Sequence, residues 1–265
     1  MRMDTRIFPD LAALSVAAMD ETMRILRRAI TARGRFSIAL SGGNTPRTIY
    51  ELWAGKPYCD ETPWDKVHLF WGDERYVRHD DPFSNFRMAR EALISRVAIP
   101  PENVHPIPTL SAAPDKSAET YESELREFFG PRPPEIDVQL MGLGEEGHTA
   151  SLFPGSPALQ EKQRWVLSVT VPATPPKRLT LTPAVLNHGR NTFFLVSGSQ
   201  KRQIIAALRN DPDPPTSRFP AARLQPSGPV LWFLDRGAAG EDLGQRPASH
   251  RPRSFIRQPE AFPRV

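Results

Sequence analysis

Residues 141–155 read "MGLGEEGHTASLFPG", and the fold turns on how the glycines at 142, 144 and 147 are understood. Their spacing is that of G-x-G-x-x-G, the turn by which a dinucleotide-binding unit passes from its first strand into a helix. That reading needs a strand before the glycines, a helix after them, and an acidic residue about 20 positions on, at the end of a second strand. Only the first requirement is met. "IDVQLM" (136–141) is a β-rich run, but Pro154 and Gly155 interrupt any helix opening at Gly147. The next strand-like run, "WVLSVTV" (165–171), leads into "PATPP" with no carboxylate to hold a ribose. What remains is a glycine-rich loop at the carboxyl end of a strand, where open α/β sheets place their ligands. Glu145, Glu146 and His148 lie in it. A carboxylate near an imidazole fixes its tautomer and raises its basicity, which suits a general base near neutral pH, although a solvated polar turn would show the same residues.

Outward from this loop, short β-rich runs alternate with stretches of helical period. The strand candidates are "RFSIAL" (35–40), "VHLFW" (67–71), "IDVQLM", "WVLSVTV", "TFFLV" (192–196) and "VLWFL" (230–234), with a further short strand in "PKRLTLT" (176–182). The first helix is expected from about Leu11 to Ala32 with Asp10 as its N-cap, and others near Thr45, Ser84, Ala113 and Ser199. This alternation predicts an α/β fold with a mainly parallel sheet covered by helices. No fixed-period repeat is present. Residues 1–237 read as one domain, and 238–265, rich in Pro and Arg and poor in apolar periodicity, as a flexible tail.

Composition narrows the class. The 265 residues are 39% hydrophobic and 24% charged, ordinary for a globular chain with a sizeable core. No signal-peptide h-region opens the sequence and no run approaches the roughly 18 apolar residues of a membrane span, so a cytoplasmic protein is expected. The single cysteine, Cys59, offers neither an intrachain disulfide nor a zinc cluster. Of the formal charge of +4, about half lies from Gly237 onward, where five Arg face three acidic residues. The basic pairs elsewhere are scattered and lack interleaved aromatics, so nucleic acid is not the expected partner. No H-E-x-x-H, P-loop or G-x-S-x-G motif occurs.

Two other loops want an anion. "SGGNTPR" (41–47) follows the first candidate strand: Gly42 and Gly43 let the backbone approach a ligand, Thr45 is placed to cap the next helix, and Pro46 fits its first position. Amides freed at that helix start would bind an anion, though a plain strand-to-helix turn reads alike. "SGSQKRQII" (197–205) puts Lys201 and Arg202 in the first turn of a helix, where the macrodipole disfavours cations by roughly 0.3–1 kcal/mol each. Arg47 is similarly placed. Two such loops on separate strands point to a phosphate-bearing small molecule. Asp73, Glu74 and Arg75 in "GDERYV" (72–77), with Arg178, either line the same cleft or form ordinary surface ion pairs.

Together, "LSGGNTPRTIYELW", "WGDERYV", "SNFRMAREAL", "MGLGEEGHTASLFPGSPAL", "PKRLTLTPAVLN", "LVSGSQKRQII" and "PAARLQPSGPVLWFLD" resemble the 6-phosphogluconolactonase branch of the family that also contains glucosamine-6-phosphate deaminase. The resemblance spans almost all of residues 10–236 and implies a Rossmann-like three-layer fold without metal or cofactor. It implies hydrolysis of 6-phospho-D-glucono-1,5-lactone, a phosphosugar lactone, in the oxidative pentose phosphate pathway, with the pathway's dehydrogenases as functional associates. On this resemblance His148 is expected to be the general base on water, oriented by Glu146, and Arg75 to steady the oxyanion, oriented by Asp73. The phosphate is expected against Ser41, Gly42, Gly43 and Thr45, neutralised by Lys201 with Arg47 or Arg178. One departure stands in the catalytic loop: the family typically has Asp-Gly-His, whereas Glu146 precedes Gly147 here. The deaminase branch looks like "DEY" and "HIAFNEP" where this chain has "DERY" and "HTASLFP"; Arg75 in place of Tyr and the loss of the later Glu favour the lactonase. A catalytically silent sugar-phosphate sensor is the third reading, and no helix-turn-helix segment supports it.

Overall fold

The computed structural model describes residues 3–111, 113–211 and 216–240. Its strands are β1 (Asp4–Phe8), β2 (Phe36–Leu40), β3 (Val67–Trp71), β4 (Asp73–Arg75), β5 (Val138–Met141), β6 (Val166–Thr170), β7 (Lys177–Leu181), β8 (Thr192–Val196) and β9 (Val230–Asp235). Its helices are α1 (Leu11–Arg33), α2 (Asn44–Trp53), α3 (Tyr58–Glu61), α4 (Asn85–Ala92), α5 (Pro114–Phe129), α6 (Pro183–Leu186), α7 (Arg202–Arg209), α8 (Pro220–Arg223) and α9 (Arg236–Ala239).

Six strands form one parallel sheet in the order β1-β9-β8-β5-β2-β3. Every residue of β2, β5 and β8 is buried, because helices flank the sheet and a strand covered on both faces reads as an unbroken apolar run. Such strands are the legible ones. The expected α/β, Rossmann-like architecture with a mainly parallel sheet is what the chain adopts. α1 begins with Asp10 accepting a hydrogen bond from Ala13 N at 2.8 Å and ends on Gly34 at φ 75°, the cap chemistry a long amphipathic helix needs.

Two features depart from expectation. β1 pairs with β9, yet its five residues carry a mixed burial pattern that gives no periodic signal. "WVLSVTV" and "KRLTLT" do not join the main sheet: β6 and β7 make a separate antiparallel sheet with β4, in the order β4-β7-β6. Asp235 accepts from Ala238 N at 2.7 Å and starts α9, whose Ala238 and Ala239 are buried, and the expected boundary after residue 237 lies in this turn. The rest of the expected tail, residues 241–265, lies outside the described residues. Among the described residues no helix is long and apolar enough to cross a membrane.

The topology locates the site. From β2 the chain continues to β3 on one side, whereas from β5 it continues to β8 and β9 on the other, so the strand order reverses between β2 and β5 and a crevice opens outside their carboxyl ends. Two buried tyrosines hold the backbone where it leaves the sheet. Tyr50 Oη accepts from Ser41 N and donates to Ser41 O, both at 2.9 Å, and Tyr121 Oη accepts from Trp71 N at 3.0 Å. Tyr50→Phe strips Ser41 of both partners, so it is expected to destabilise the fold by about 1–3 kcal/mol. An unchanged urea midpoint would contradict that role.

Candidate active site

The loop after β2 forms one wall of the crevice. Gly43, at φ 104°, is the N-cap of α2 and has no side-chain cap bond, and no acidic residue occupies the helix's first turn. The amides there are left to a ligand. Gly42 must lack a side chain, because a Cβ would stand 2.0 Å from Asn85 Oδ1. Ser41 Oγ is buried without a hydrogen-bond partner and lines the crevice. The expected cap is corrected here: the positive φ of Gly43 closes the turn early, so α2 starts at Asn44, Thr45 is its second residue and Pro46 its third. Thr45 does not line the crevice, and neither does Arg47, which pairs with Glu51 at 3.0 Å and faces an adjoining groove.

The glycine-rich loop after β5 forms the opposite wall, and no α-helix opens from it. Its glycines make room for a histidine. A Cβ on Gly144 would lie 2.0 Å from His148 Nδ1, and Gly147, at φ 84°, packs its Cα against Phe219. Gly144 N donates to His148 O at 2.9 Å and Thr149 Oγ1 donates to Gly142 O at 2.8 Å, so the loop folds back on itself. Ala150, next to the histidine in the crevice wall, sits at φ 48°, a conformation costly for a residue with a Cβ. The His148 ring stacks on Phe153 with centroids 4.1 Å apart. Burial holds its imidazolium below the usual histidine range, and Glu146 opposes this. Glu146 Oε1 stands 3.1 Å from Nδ1, without the alignment of a hydrogen bond. Glu145 is exposed and does not line the crevice.

The small sheet supplies the charge. Because side chains alternate along a strand, Asp73 and Arg75 share one face of β4, and both line the crevice. Glu74 points the other way. Its buried carboxylate accepts from Asn85 N and Phe86 N, each at 2.8 Å, and from Ser84 Oγ at 3.0 Å, neutralising the start of α4. Burial outweighs those donors and pushes the Glu74 carboxyl up to about 7. Arg75 is registered directly opposite Arg178 of β7, and both arginines line the cleft. Each has one backbone partner, Phe83 O at 2.7 Å for Arg75 Nη1 and Pro175 O at 3.1 Å for Arg178 Nε, while Arg75 Nε is buried with none. Asp73, held by Ser151 Oγ at 2.7 Å, favours the charged form of Arg178 against the desolvation that lowers its pKa.

The loop after β8 brings the last cation. Asp235 accepts from Gly198 N and from Ser197 Oγ, fixing a 3-10 turn at Ser199–Lys201 that places Lys201 on the crevice. Of the residues expected at the site, the structure brings together Ser41, Gly42, Gly43, Asp73, Arg75, His148, Arg178 and Lys201 in one cleft, with Glu146 beside the histidine. Asn85, Ser151 and Phe153 were not foreseen. Asn85 lines the cleft with Nδ2 given to Asp73 O at 2.9 Å, and only Ser84 as a helix cap hints at its place. Among the described residues no cluster of three or more His, Cys, Asp or Glu is arranged to hold a metal ion.

Residues 9–232 match the family model described as glucosamine-6-phosphate isomerases/6-phosphogluconolactonase. The chain is 42% identical to a 6-phosphogluconolactonase of Nostoc sp. over 244 residues, 91% of this chain and 99% of that one. It is 44% identical to a 6-phosphogluconolactonase of Synechocystis sp. over 221 residues, 82% and 89% of the two chains. A solved 6-phosphogluconolactonase from Trypanosoma cruzi superposes with a TM-score of 0.79 at 29% identity, covering 92% of this chain and 98% of that one. The match runs through every loop that lines the cleft, and the chain belongs to the glucosamine-6-phosphate isomerase/6-phosphogluconolactonase family.

Proposed function

We propose that the protein hydrolyses 6-phospho-D-glucono-1,5-lactone to 6-phospho-D-gluconate. The observation that carries this is the placing of a neutral-prone imidazole, His148, in one cleft with the cations Arg75 and Arg178 and the uncapped start of α2. A phosphorylated lactone matches both ends of that arrangement. Its dianionic phosphate answers the amides after Gly43 and the charges of Lys201 and Arg178, and its ester carbonyl takes the position between His148 and Arg75.

Glu146 beside Nδ1 favours the tautomer that keeps Nε2 free as a base. His148 Nε2 takes a proton from water as the water oxygen bonds to C1, and the carbonyl electrons move to an oxyanion that the Arg75 guanidinium stabilises. Collapse breaks the bond between C1 and the ring oxygen, which leaves with the proton from the imidazolium. Asp73 is the countercharge that helps to orient Arg75. Among the described residues Asp73 is the only carboxylate lining the cleft, and it is committed to Ser151. A deaminase, which must remove a carbon-bound proton, finds no free carboxylate there. The reading also carries the oxidative pentose phosphate pathway and the cytoplasm, with pentose phosphate dehydrogenases as functional associates.

The direct test is hydrolysis of freshly generated lactone coupled to 6-phosphogluconate dehydrogenase, run beside ammonia release from glucosamine 6-phosphate. Lactone turnover above the spontaneous rate and no ammonia are expected; ammonia release, or silence in both, overturns the proposal. His148→Ala is expected to lower kcat by about 10²- to 10⁴-fold with KM little changed, the share a general base supplies. Wild-type turnover in that variant would remove His148 from the mechanism. Lys201→Ala should raise KM roughly tenfold to a hundredfold, the loss of one charge-assisted contact to phosphate. Unchanged affinity for 6-phosphogluconate excludes it from the site.

The pH dependence follows from the same groups. The base works unprotonated, and burial lowers the His148 pKa from its ordinary value while Glu146 raises it. Glu146→Gln removes the opposing influence, so the acid limb of kcat/KM is expected to move to lower pH. A limb displaced to higher pH would show that Glu146 does not stabilise the imidazolium.

A further inference from the structure

We infer that a second anion subsite adjoins the cleft, in the groove between α2 and α4, and that it receives the substrate phosphate on its way in. The inference rests on the proposed lactonase reading for the identity of the cargo but on separate residues for the subsite. The groove shares Gly43, Arg75 and Asn85 with the cleft and extends outward past Arg47, Arg87 and Met88. It is therefore continuous with the place where the phosphate ends.

Its lining carries more guanidinium than carboxylate. Arg47, Arg75 and Arg87 line it against the single carboxylate of Glu91. Arg47 and Arg87 are held alike: each gives its Nε to the glutamate one turn on, Arg47 to Glu51 at 3.0 Å and Arg87 to Glu91 at 2.7 Å. A glutamate that takes Nε leaves terminal guanidinium nitrogens for another anion. Arg87 Nη1 donates to Asp80 O at 2.9 Å, which fixes the group without neutralising it. The hydrogen bond from Arg87, with the charges of Arg87, Arg47 and Arg90, holds the Glu91 carboxyl below its ordinary value.

The two helices contribute unequally. The start of α4 is already answered by the Glu74 carboxylate and the Ser84 cap, so it adds little. The start of α2 has no cap and no acid, and its partial positive charge adds to that of Arg47. Arg75 lines both spaces, so an anion passing from groove to cleft stays beside one arginine throughout. A phosphomonoester dianion fits this chemistry. An aromatic or apolar group finds only Met88 and Pro82 there.

The test separates this subsite from the cleft. Inorganic phosphate is titrated into the isotope-labelled protein, its Lys201→Ala variant and an Arg47→Ala/Arg87→Ala variant, with amide shifts read at Met88 and Glu91 for the groove and at Gly42 and Gly144 for the cleft. Groove shifts are expected to persist in Lys201→Ala and vanish in the double variant, whose cleft shifts remain. In lactone hydrolysis the double variant is expected to lose about threefold to tenfold in kcat/KM at low salt with kcat unchanged, the gap closing near 0.5 M NaCl as screening sets in. Titration with 6-phosphogluconate should give the same groove shifts at lower concentration. Absent groove shifts in the wild type, or a salt dependence identical in wild type and double variant, overturns the subsite. Groove shifts without any lactone turnover would instead uphold the subsite and refute the lactonase reading.

Discussion

Two arginines registered opposite each other on adjacent strands, Arg75 on β4 and Arg178 on β7, are the constraint around which the site is built. Like charges directly opposite on a sheet oppose folding, and the fold tolerates this pair by holding each arginine separately. Phe83 O takes one edge of Arg75, Pro175 O takes one of Arg178, and Asp73 supplies a countercharge that Ser151 keeps in place. One arginine nitrogen, Arg75 Nε, and the hydroxyl of Ser41 remain buried and unpartnered. Such groups cost stability in the free protein and recover it when an anion enters, which is how binding sites differ from cores.

The glycine loop answers its own question through sterics. In a dinucleotide site the glycines admit a pyrophosphate to a helix start. Here no α-helix opens from the loop, and the space that Gly144 leaves empty is filled by His148 Nδ1 and the Glu146 carboxylate. The chain spends further strain nearby, with Ala150 at φ 48°. Local structure is thus bent to present one imidazole, stacked on Phe153, to a cleft whose other side chains are cationic or neutral apart from Asp73. Desolvation favours the neutral imidazole and Glu146 opposes it, and a base near pH 7 works from the neutral form.

What could be read in advance follows from how each element is covered. β2, β5 and β8 are buried on both faces and announce themselves as apolar runs. β1 is an edge strand half open to solvent, and only its pairing with β9 defines it. β6 and β7 looked like strands but nothing in composition says which sheet a strand joins. At the site, Ser41, Gly42, Gly43, Arg75, Arg178, His148 and Lys201 were legible because each sits in a loop after β2, β5 or β8 or in the short charged strands β4 and β7. Gly43 caps α2 two residues earlier than expected, and Thr45 and Arg47 do not line the cleft. Asn85 escaped because its place depends on Glu74 gathering the first amides of α4, a contact across a loop that no spacing rule encodes.

The central claim is that the cleft is held open and charged for a phosphate, with the sugar acid positioned from that anchor. Calorimetric binding of 6-phosphogluconate and of gluconate to the same protein tests it most directly. The account predicts that the phosphorylated ligand binds at least about a hundredfold more tightly, since several charge-assisted contacts of roughly 1.5–3 kcal/mol each depend on it. Equal affinities would contradict it, because the arginine pair, Lys201 and the uncapped helix would then have no anion to answer them.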